Sequence, residues 1–323
     1  MDIVGIGNSV IDHILLTEKM PGPNETVIPL QGSWQYGGKA PTALVAAAKL
    51  GLQAAIVGTV GGITGQCIRN EYIRQGVDVS HLIDRPGQAS QICMCVADRS
   101  TNGRTLFLMP AANQVTPVQA DELDRAFLLD AKWLIVSKAE PAQNQAAIWF
   151  KQTQEGRQVV ADADQYSYDM HNNLHLYDHL IMGEAFYRHI FPDNDRYKDT
   201  LYQLRMQQDS ENAVTMVTLG GRGTCGYDER GNFFTVPAYR VKTVDTTGAG
   251  DVFHGAYIAA KHYGMSTVDA VRFASAAAAI KCTRLGGRAA LADRRGVFRF
   301  MQTGQIDYKT IDQEAKHYEA MPF

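Results

Sequence analysis

Residues 244–251, Val-Asp-Thr-Thr-Gly-Ala-Gly-Asp, constrain the fold of this chain more than any other stretch. A strand-like run at 238–244 precedes the glycines, and an apolar pattern with helical spacing follows at 252–262. A glycine turn that opens a helix leaves backbone N–H groups without partners at the positive end of the helix dipole. The sequence therefore predicts an anion site at the start of this helix.

The residue types in this turn indicate a reaction as well as a binding site. Gly248, Ala249 and Gly250 carry almost no side chain, so a phosphate could approach their amides closely. Asp251 would repel a phosphate, but a carboxylate beside one can take the proton from a hydroxyl that attacks phosphorus. The alternative is a plain helix cap, since Asp and Thr cap helices and Gly forms turns.

The rest of the chain alternates strand-like and helical patterns, which predicts a single α/β domain over residues 1–323. Gly5-x-Gly7 is not a dinucleotide-binding fingerprint, because Val10 stands where the third glycine is needed. Two regions of short strands, approximately 10–36 and 90–110, predict a separate small sheet. Its expected strands are 10–16, 26–32, 90–98 and 105–109, the last two joined by a hairpin turn at 100–103.

Composition narrows the class of protein. With 323 residues, of which 45% are hydrophobic, the chain can bury a large core. A formal net charge of −3 argues against a nucleic-acid partner. The sequence has no run of about 18 apolar residues, so no membrane span is predicted. The N-terminus lacks the basic region of a signal peptide. Five scattered cysteines favour a reducing, cytoplasmic setting.

A second glycine motif lies at residues 37–51, where Gly-Gly-Lys leads into an alanine-rich helix that ends in Leu-Gly. Together with residues 244–251 it resembles the two signatures of the ribokinase-like (PfkB) carbohydrate kinases, and the pattern is closest to ribokinase. The resemblance covers nearly the whole chain. It implies a doubly wound, mostly parallel sheet flanked by helices, with a small β-sheet lid. It also implies ATP-dependent phosphorylation of a primary hydroxyl on a sugar or sugar-like substrate, with ATP and Mg²⁺, and K⁺ as a further candidate.

The resemblance also implies roles for particular residues. Asp251 would be the catalytic base, and the amides of Gly248, Ala249 and Gly250 would form the anion hole. Asparagines that the family uses for the sugar are replaced here by Val10 and Thr42, which puts ribose itself in doubt. The substrate-binding candidates are Asp12, Gly38, Lys39, Thr42 and Glu140. The alternative reading is a turn aspartate for Asp12, a surface lysine for Lys39 and a helix N-terminal carboxylate for Glu140.

The nucleotide would lie on the glycine-rich turn 218–223, although such a run alone is more often a hairpin turn. Residues 182–186 stand in place of the family's Asn-x-x-Glu, and Gly183 and Phe186 depart from it. Glu184 is left as a candidate magnesium ligand, or the ion is held mostly by ATP and water. Asp245 is the candidate for a monovalent cation. The ATP-binding candidates are Thr218, Gly220, Gly223 and Thr247.

Two other functions remain open at this point. A nucleoside kinase of the same family would need an aromatic clamp for a base, which Trp34, Tyr36 or Phe107 could supply. A sugar- or nucleotide-binding sensor would account for the altered residues 182–186, but binding alone has no use for the base Asp251. The resemblance further implies a homodimer formed through an apolar face of the lid.

Overall fold

The computed structural model describes residues 1–101, 103–109, 113–153 and 156–319. Within these residues the chain forms thirteen strands. They are β1 (Ile3–Ile6), β2 (Val10–Thr17), β3 (Gln31–Gly37), β4 (Ala54–Val60), β5 (Val77–Asp84), β6 (Gln91–Asp98), β7 (Gly103–Leu108), β8 (Trp133–Val136), β9 (Gln158–Ala163), β10 (His179–Gly183), β11 (Val214–Thr218), β12 (Thr224–Tyr227) and β13 (Phe233–Val236).

Eleven α-helices lie in the same described ranges, together with short 3₁₀ turns. None of these helices is long and apolar enough to cross a membrane. The helices are α1 (Lys39–Lys49), α2 (Gly62–Arg74), α3 (Arg125–Leu129), α4 (Pro141–Gln152), α5 (Tyr168–Asn172), α6 (Glu184–Ile190), α7 (Tyr197–Arg205), α8 (Ala249–His262), α9 (Thr267–Lys281), α10 (Arg294–Thr303) and α11 (Tyr308–His317).

A nine-stranded sheet in the order β13-β12-β11-β10-β9-β8-β1-β4-β5 forms the centre of the described structure. The strands from β11 to β5 pair in parallel, and β12 and β13 add an antiparallel edge. Its inner strands are largely apolar because helices cover both faces; every residue of β4 is buried. Neighbouring Ile3 and Val4 belong to opposite hydrophobic cores, as the alternation of strand side chains requires. The predicted doubly wound sheet is confirmed.

A second sheet of four strands, in the order β3-β2-β6-β7, lies apart from the first. Strands β2 and β6 pair in parallel, and the other neighbours are antiparallel. The expected strand at 26–32 is wrong, because the pairing strand begins only at Gln31. Pro29 has no N–H to donate to a ladder, which accounts for the later start. In the β6–β7 hairpin, Asn102 falls outside the described residues.

The strand expected at 238–244 is also wrong. The last strand is β13, which ends at Val236, and Pro237 follows it without an N–H for further pairing. The run instead crosses to α9, where the Val244 N–H donates to Cys282 O at 2.8 Å. The helix expected after the turn does form, as α8.

Helices α1, α8 and α9 form one packed layer on the sheet. A Cβ atom at Gly255 of α8 would lie 2.1 Å from the Ala43 carbonyl oxygen of α1, so only glycine allows this close crossing. The N-terminal residues of both helices, Lys39 and Ala249, consequently line the same cavity.

Candidate functional site

A cavity of about 390 Å³ lies where the carboxyl ends of β9, β10 and β11 approach the small sheet. Ligands of open α/β sheets bind at this end of the strands. We call it the charged cavity because six Asp, Lys and Arg side chains line it: Asp12, Lys39, Arg104, Asp162, Asp164 and Asp251.

A second hollow of about 250 Å³ adjoins it. We call it the apolar cleft, since its wall is formed largely by glycines and by small or apolar side chains. Four residues line both hollows, namely Thr218, Thr246, Ala249 and Gly250, so the turn before α8 separates the two. Residues specific to the apolar cleft include Gly220, Gly223, Tyr239, Phe253, Ser275 and Ala278.

The turn before α8 presents its amides unequally. Gly248 adopts a left-handed conformation with φ of 73°, which glycine tolerates, and it caps the helix. The Ala249 N–H donates to Thr246 O at 3.1 Å, so this amide is already used within the turn. Among the hydrogen bonds of the described residues, the Gly248 and Gly250 amides donate none. Two of the three amides predicted for an anion hole are therefore open to a ligand.

Asp251 lies at the first turn of α8 and faces the charged cavity. Burial raises the pKa of its carboxyl well above the ordinary value, and the neighbouring carboxylates Asp162 and Asp164 raise it further; Lys39 opposes this shift. A carboxylate with a raised pKa accepts a proton more readily than a free aspartate, which suits a general base.

His254 is a functional candidate that the sequence reasoning missed, and it lies beside Asp162, which ends a strand and was expected to face the site. Asp162 Oδ1 lies 3.6 Å from His254 Nε2, and among the described residues its Oδ2 is buried without a hydrogen-bond partner. His254 Nδ1 donates to Gly250 O at 2.7 Å. The spacing of Gly250 and His254, four residues apart on one helix, was the available signal.

Lys39 is the first residue of α1, and its ammonium pairs with Asp164 across the charged cavity. Gly38 precedes it with φ of 101°, and a Cβ atom there would lie 2.7 Å from Asn8 O. Only glycine fits at this point, which lets α1 begin beside the cavity. The structure therefore brings Gly38 and Lys39 to the predicted place, with Lys39 as an ion-paired group.

Asp12 projects from β2 of the small sheet into the charged cavity. Burial raises the pKa of Asp12 to about 6, against the opposing effect of Arg288. A Cβ atom at Gly37 would lie 2.0 Å from Asp12 Oδ2, so this glycine makes room for the carboxylate. Thr42 is buried, and its Oγ1 accepts a hydrogen bond from Arg288 Nε at 3.4 Å.

Arg288 is a second residue that the sequence reasoning missed. It is 1% exposed, yet no carboxylate lies within ion-pair distance of it among the described residues. Its guanidinium lies over the Tyr72 ring, 5.6 Å from the centroid. Its position directly after Gly286-Gly287, at the end of the α9 region, is the only sequence signal we find.

Glu140 lies outside the charged cavity, in a neighbouring hollow of about 160 Å³. Val10, Gly38 and Lys39 line both spaces, so the two communicate at the start of α1. Glu140 Oε1 lies 3.8 Å from Lys138 Nζ. The preceding Ala139 has a positive φ of 54°, which is uncommon for a non-glycine residue.

The glycine-rich turn after β11 forms the rim of the apolar cleft. Gly223 has φ of 97°, and a Cβ atom there would lie 2.1 Å from Val236 O, so glycine is required. Gly220 also has a positive φ and is open on the side where a Cβ would stand. Thr218 Oγ1 donates to Met182 O at 3.2 Å. Thr247, predicted with this group, lines the charged cavity instead.

The predicted magnesium ligand Glu184 is engaged elsewhere. Its carboxylate pairs with Arg222 and also lies 3.4 Å from Arg188, and the Arg222 hydrogen bond is the main cause that lowers its pKa. Phe186 is fully buried in the core. In the described part of the chain, no group of three His, Cys, Asp or Glu residues has the geometry of a metal site. These contacts argue against Glu184 as a magnesium ligand.

Asp245 is buried just before the turn and acts as a brace for it. Its Oδ1 accepts hydrogen bonds from Thr247 N at 2.9 Å and Thr247 Oγ1 at 2.7 Å. Its Oδ2 accepts one from Gly286 N at 2.8 Å. The Asp245 carbonyl oxygen accepts a hydrogen bond from Lys281 Nζ at 2.8 Å.

Comparison with known proteins gives a consistent family. The family described as "pfkB family carbohydrate kinase" matches residues 1–294. Ribokinase of Haemophilus influenzae is 23% identical, with 92% of this chain and 97% of the relative aligned. Ketohexokinase of Mus musculus is 22% identical over 87% and 95% of the two chains. A nucleoside kinase of Methanothermobacter thermautotrophicus is 24% identical over 86% and 88%.

Solved structures show the same fold. Ribokinase from Thermotoga maritima superposes with a TM-score of 0.78 at 23% identity, covering 94% of this chain and all of the other. Arabidopsis thaliana ribokinase, solved with ribose and ATP, superposes with a TM-score of 0.76 at 19% identity, covering 93% and 98%. At these identities the likeness concerns the fold.

Proposed function

This chain belongs to the pfkB family of carbohydrate kinases, and from that membership we propose that it transfers the γ-phosphoryl group of ATP to a primary hydroxyl of a sugar or sugar-like acceptor. One observation supports this proposal most. Gly248 and Gly250, whose amides are open, line the charged cavity beside the raised-pKa carboxylate Asp251, and Gly250 also lines the apolar cleft.

The two hollows suit the two reactants. The apolar cleft offers small side chains and packing surface, which suit a flat adenine ring, and its glycine rim at Gly220 leaves room for phosphates. The charged cavity offers carboxylates and an ammonium that can accept and donate hydrogen bonds to several hydroxyls. ATP would therefore bind in the cleft and the acceptor in the cavity.

Transfer would take place across the turn. The acceptor's hydroxyl would lie against Asp251, which removes its proton as the oxygen attacks phosphorus. The Gly248 and Gly250 amides and the N-terminus of α8 would stabilise the negative charge that develops on the phosphoryl oxygens. Asp12 and Lys39 would hold the acceptor's other hydroxyls, and Thr42 would act through Arg288.

Magnesium would accompany the nucleotide in this scheme. The Glu184 carboxylate is paired with arginines, so the ion's ligands would be phosphate oxygens and water, as Mg²⁺ often prefers. The ion would neutralise phosphate charge. The Asp162 carboxylate, whose Oδ2 is buried without a hydrogen-bond partner among the described residues, also lines the charged cavity.

The small sheet would act as a lid over the acceptor, and we propose that it also pairs two subunits. On its edge strand β7, Leu106 and Leu108 line the charged cavity, whereas Phe107, which is 47% exposed, lies on the opposite, outer face with its β6 partner Met94. Exposed apolar side chains on this outer face favour a protein partner. A cytoplasmic setting stays a prediction; the five cysteines are free thiols, as a reducing compartment favours.

A nucleoside acceptor is less well supported. Tyr36 is 7% exposed in the core, Trp34 stacks on His13, and Phe107 lies on the outer part of β7. Of the described residues, none of these three aromatic side chains lines the charged cavity. A binding-only sensor is disfavoured because binding alone does not need the buried acid at residue 251.

The test is a panel of pentoses, hexoses, their phosphates and nucleosides, each assayed for ADP release with ATP and Mg²⁺. We expect turnover with at least one hydroxylated sugar-like compound, and mass spectrometry of the product should show one added phosphoryl group. Turnover with nucleosides alone would instead indicate a nucleoside kinase. Binding of ATP and sugar without ADP release would assign the sensor.

A further inference from the structure

The strongest unassigned feature is a buried lysine beneath the anion-binding turn. Lys281 is the last residue of α9 and has no exposed surface. Its Nζ donates a hydrogen bond to Asp245 O at 2.8 Å and lies 3.9 Å from Asp245 Oδ2. A fully buried ammonium is costly to desolvate, so its position beside these two oxygens requires an explanation.

Asp245 transmits this contact to the turn. Its carboxylate fixes Thr247 through two hydrogen bonds and Gly286 through a third. Thr247 leads directly into Gly248, whose amide is open to the charged cavity. The Lys281 ammonium thus stabilises the residue that orients the start of α8, without itself lining either hollow.

The electrostatics of the pair agree with this arrangement. Burial acts to raise the pKa of Asp245, but Lys281 and the backbone hydrogen bonds outweigh it, and the pKa is lowered. Burial lowers the pKa of Lys281, whereas the Asp245 carboxylate favours its charged form. Each charge is therefore the main compensation for the burial of the other.

The same oxygens are the ones that a monovalent cation near Asp245 would need. Potassium binds carbonyl and carboxylate oxygens, and here the Asp245 carbonyl already accepts from an ammonium. A second positive charge a few ångströms from Lys281 Nζ would be repelled in this buried region. The residues present do not fit a potassium ion at Asp245.

We propose that Lys281 is a built-in cation that positions the anion-binding turn, so that this chain works without a bound monovalent cation. The proposal rests on the proposed kinase function for its catalytic consequence. Lys281 is a positioning residue, since it acts on the reactants only through Asp245 and the turn.

The first test uses the wild-type protein. Rates with the best acceptor are measured in KCl and in tetramethylammonium chloride at equal ionic strength, so that general screening is held constant. We expect rates that agree within about twofold; stimulation by KCl of more than about fivefold would overturn the proposal.

The second test replaces the internal cation by an external one. Lys281→Ala removes the ammonium and leaves a cavity, and thermal unfolding and kcat are then measured with methylammonium, potassium or tetramethylammonium chloride. We expect kcat to fall by roughly tenfold or more, and a small cation, but not tetramethylammonium, to restore part of it and raise Tm by a few degrees. Lys261→Ala, which removes a lysine paired with Glu229 elsewhere on the domain, should show no cation response.

The outcomes are separable. Unchanged kcat in Lys281→Ala, or a loss that no small cation restores, would overturn the proposal. If Lys281→Ala fails to fold in tetramethylammonium, its refolding with methylammonium or potassium becomes the readout. Failure to fold in every cation would also overturn the proposal. Should the wild type phosphorylate no acceptor, the kinase function fails, while the melting comparison still decides the role of Lys281.

Discussion

The charged cavity and the apolar cleft share one wall and differ in nearly everything else. The cavity gathers charged groups from the small sheet, α1, β9 and α8, and two of them, Lys39 and Asp164, form an ion pair. The cleft is formed by backbone, glycine and small side chains, chiefly of α8, α9 and the turn after β11. A cavity of charged groups can distinguish hydroxyl patterns, whereas an apolar slot holds a planar ring with little directionality. Substitutions on the two sides should therefore change different kinetic constants.

The largest effect is expected at the shared wall. Asp251→Asn should lower kcat by about 10²–10⁴-fold, since amides cannot serve as the general base, and should leave the affinity for ATP nearly unchanged. In the wild type, the raised pKa of Asp251 means that kcat should fall on acidification at a higher pH than an ordinary aspartate would give. Initial-rate kinetics as a function of pH measure the change in kcat, and an ATP-binding titration measures the affinity for ATP.

Asp121→Asn, at an exposed residue that lines neither hollow, is the matched control and should leave kcat unchanged. Turnover retained in Asp251→Asn would remove this residue from the role of base. A simultaneous loss of ATP affinity would instead mean that Asp251 holds the turn rather than the proton.

The next effect should be confined to the apolar cleft. Ala278→Leu adds three carbons on the wall of α9, which should raise the KM for ATP by about 10- to 100-fold through lost space in an apolar pocket and leave the KM for the acceptor alone. Ala278→Ser, which adds one small atom, is the control. An equal change in both Michaelis constants would show that the two hollows do not separate the reactants.

The sequence predicted the parts of the fold in which local pattern and tertiary context agree. The largely apolar runs at 54–60 and 158–163 predict strands, and β4 and β9 form at those bounds, because buried parallel strands are mostly apolar. The runs at 26–32 and 238–244 also have a strand-like pattern, but Pro29 and Pro237 interrupt the ladders that would pair them. A short strand-like run does not reveal whether a partner strand is available.

The site shows the same limit. Residues 244–251 and 37–39 carry their chemistry in consecutive residues, so their place in the site could be predicted locally. Arg288 and Lys281 act through contacts with residues far away in the chain, such as Thr42 and Asp245. The pairing of Glu184 with Arg222 likewise depends on two separate elements meeting. No local spacing encodes such meetings.

A smaller, pH-dependent effect is expected on the acceptor side of the charged cavity. The pKa of Asp12 is raised to about 6, so its carboxylate gains a proton and loses acceptor capacity as the pH falls through that value. The KM for the acceptor should then rise below about pH 6, while the KM for ATP stays flat.

Asp12→Asn should raise the acceptor KM about tenfold at pH 7.5, the scale of one hydrogen bond to a charged group, and should abolish the pH dependence of that constant. Asp98→Asn, in the last position of β6 of the same small sheet, is the control. If the acid limb of the acceptor KM persisted in Asp12→Asn, a different group would be responsible for it.

The smallest effect should come from Glu140. This residue lies in the hollow beside the charged cavity. Its carboxylate is 3.8 Å from Nζ of Lys138, whose side chain is largely exposed, and such exposed ion pairs contribute little. Glu140→Gln keeps size and one acceptor oxygen, so we expect the acceptor KM to change by about threefold or less and kcat to stay the same. Lys138→Gln serves as the control for the ion pair. A change of about tenfold or more in Glu140→Gln alone would mean that the acceptor extends past Lys39 into the neighbouring hollow, and the charged cavity would then be only part of its binding site.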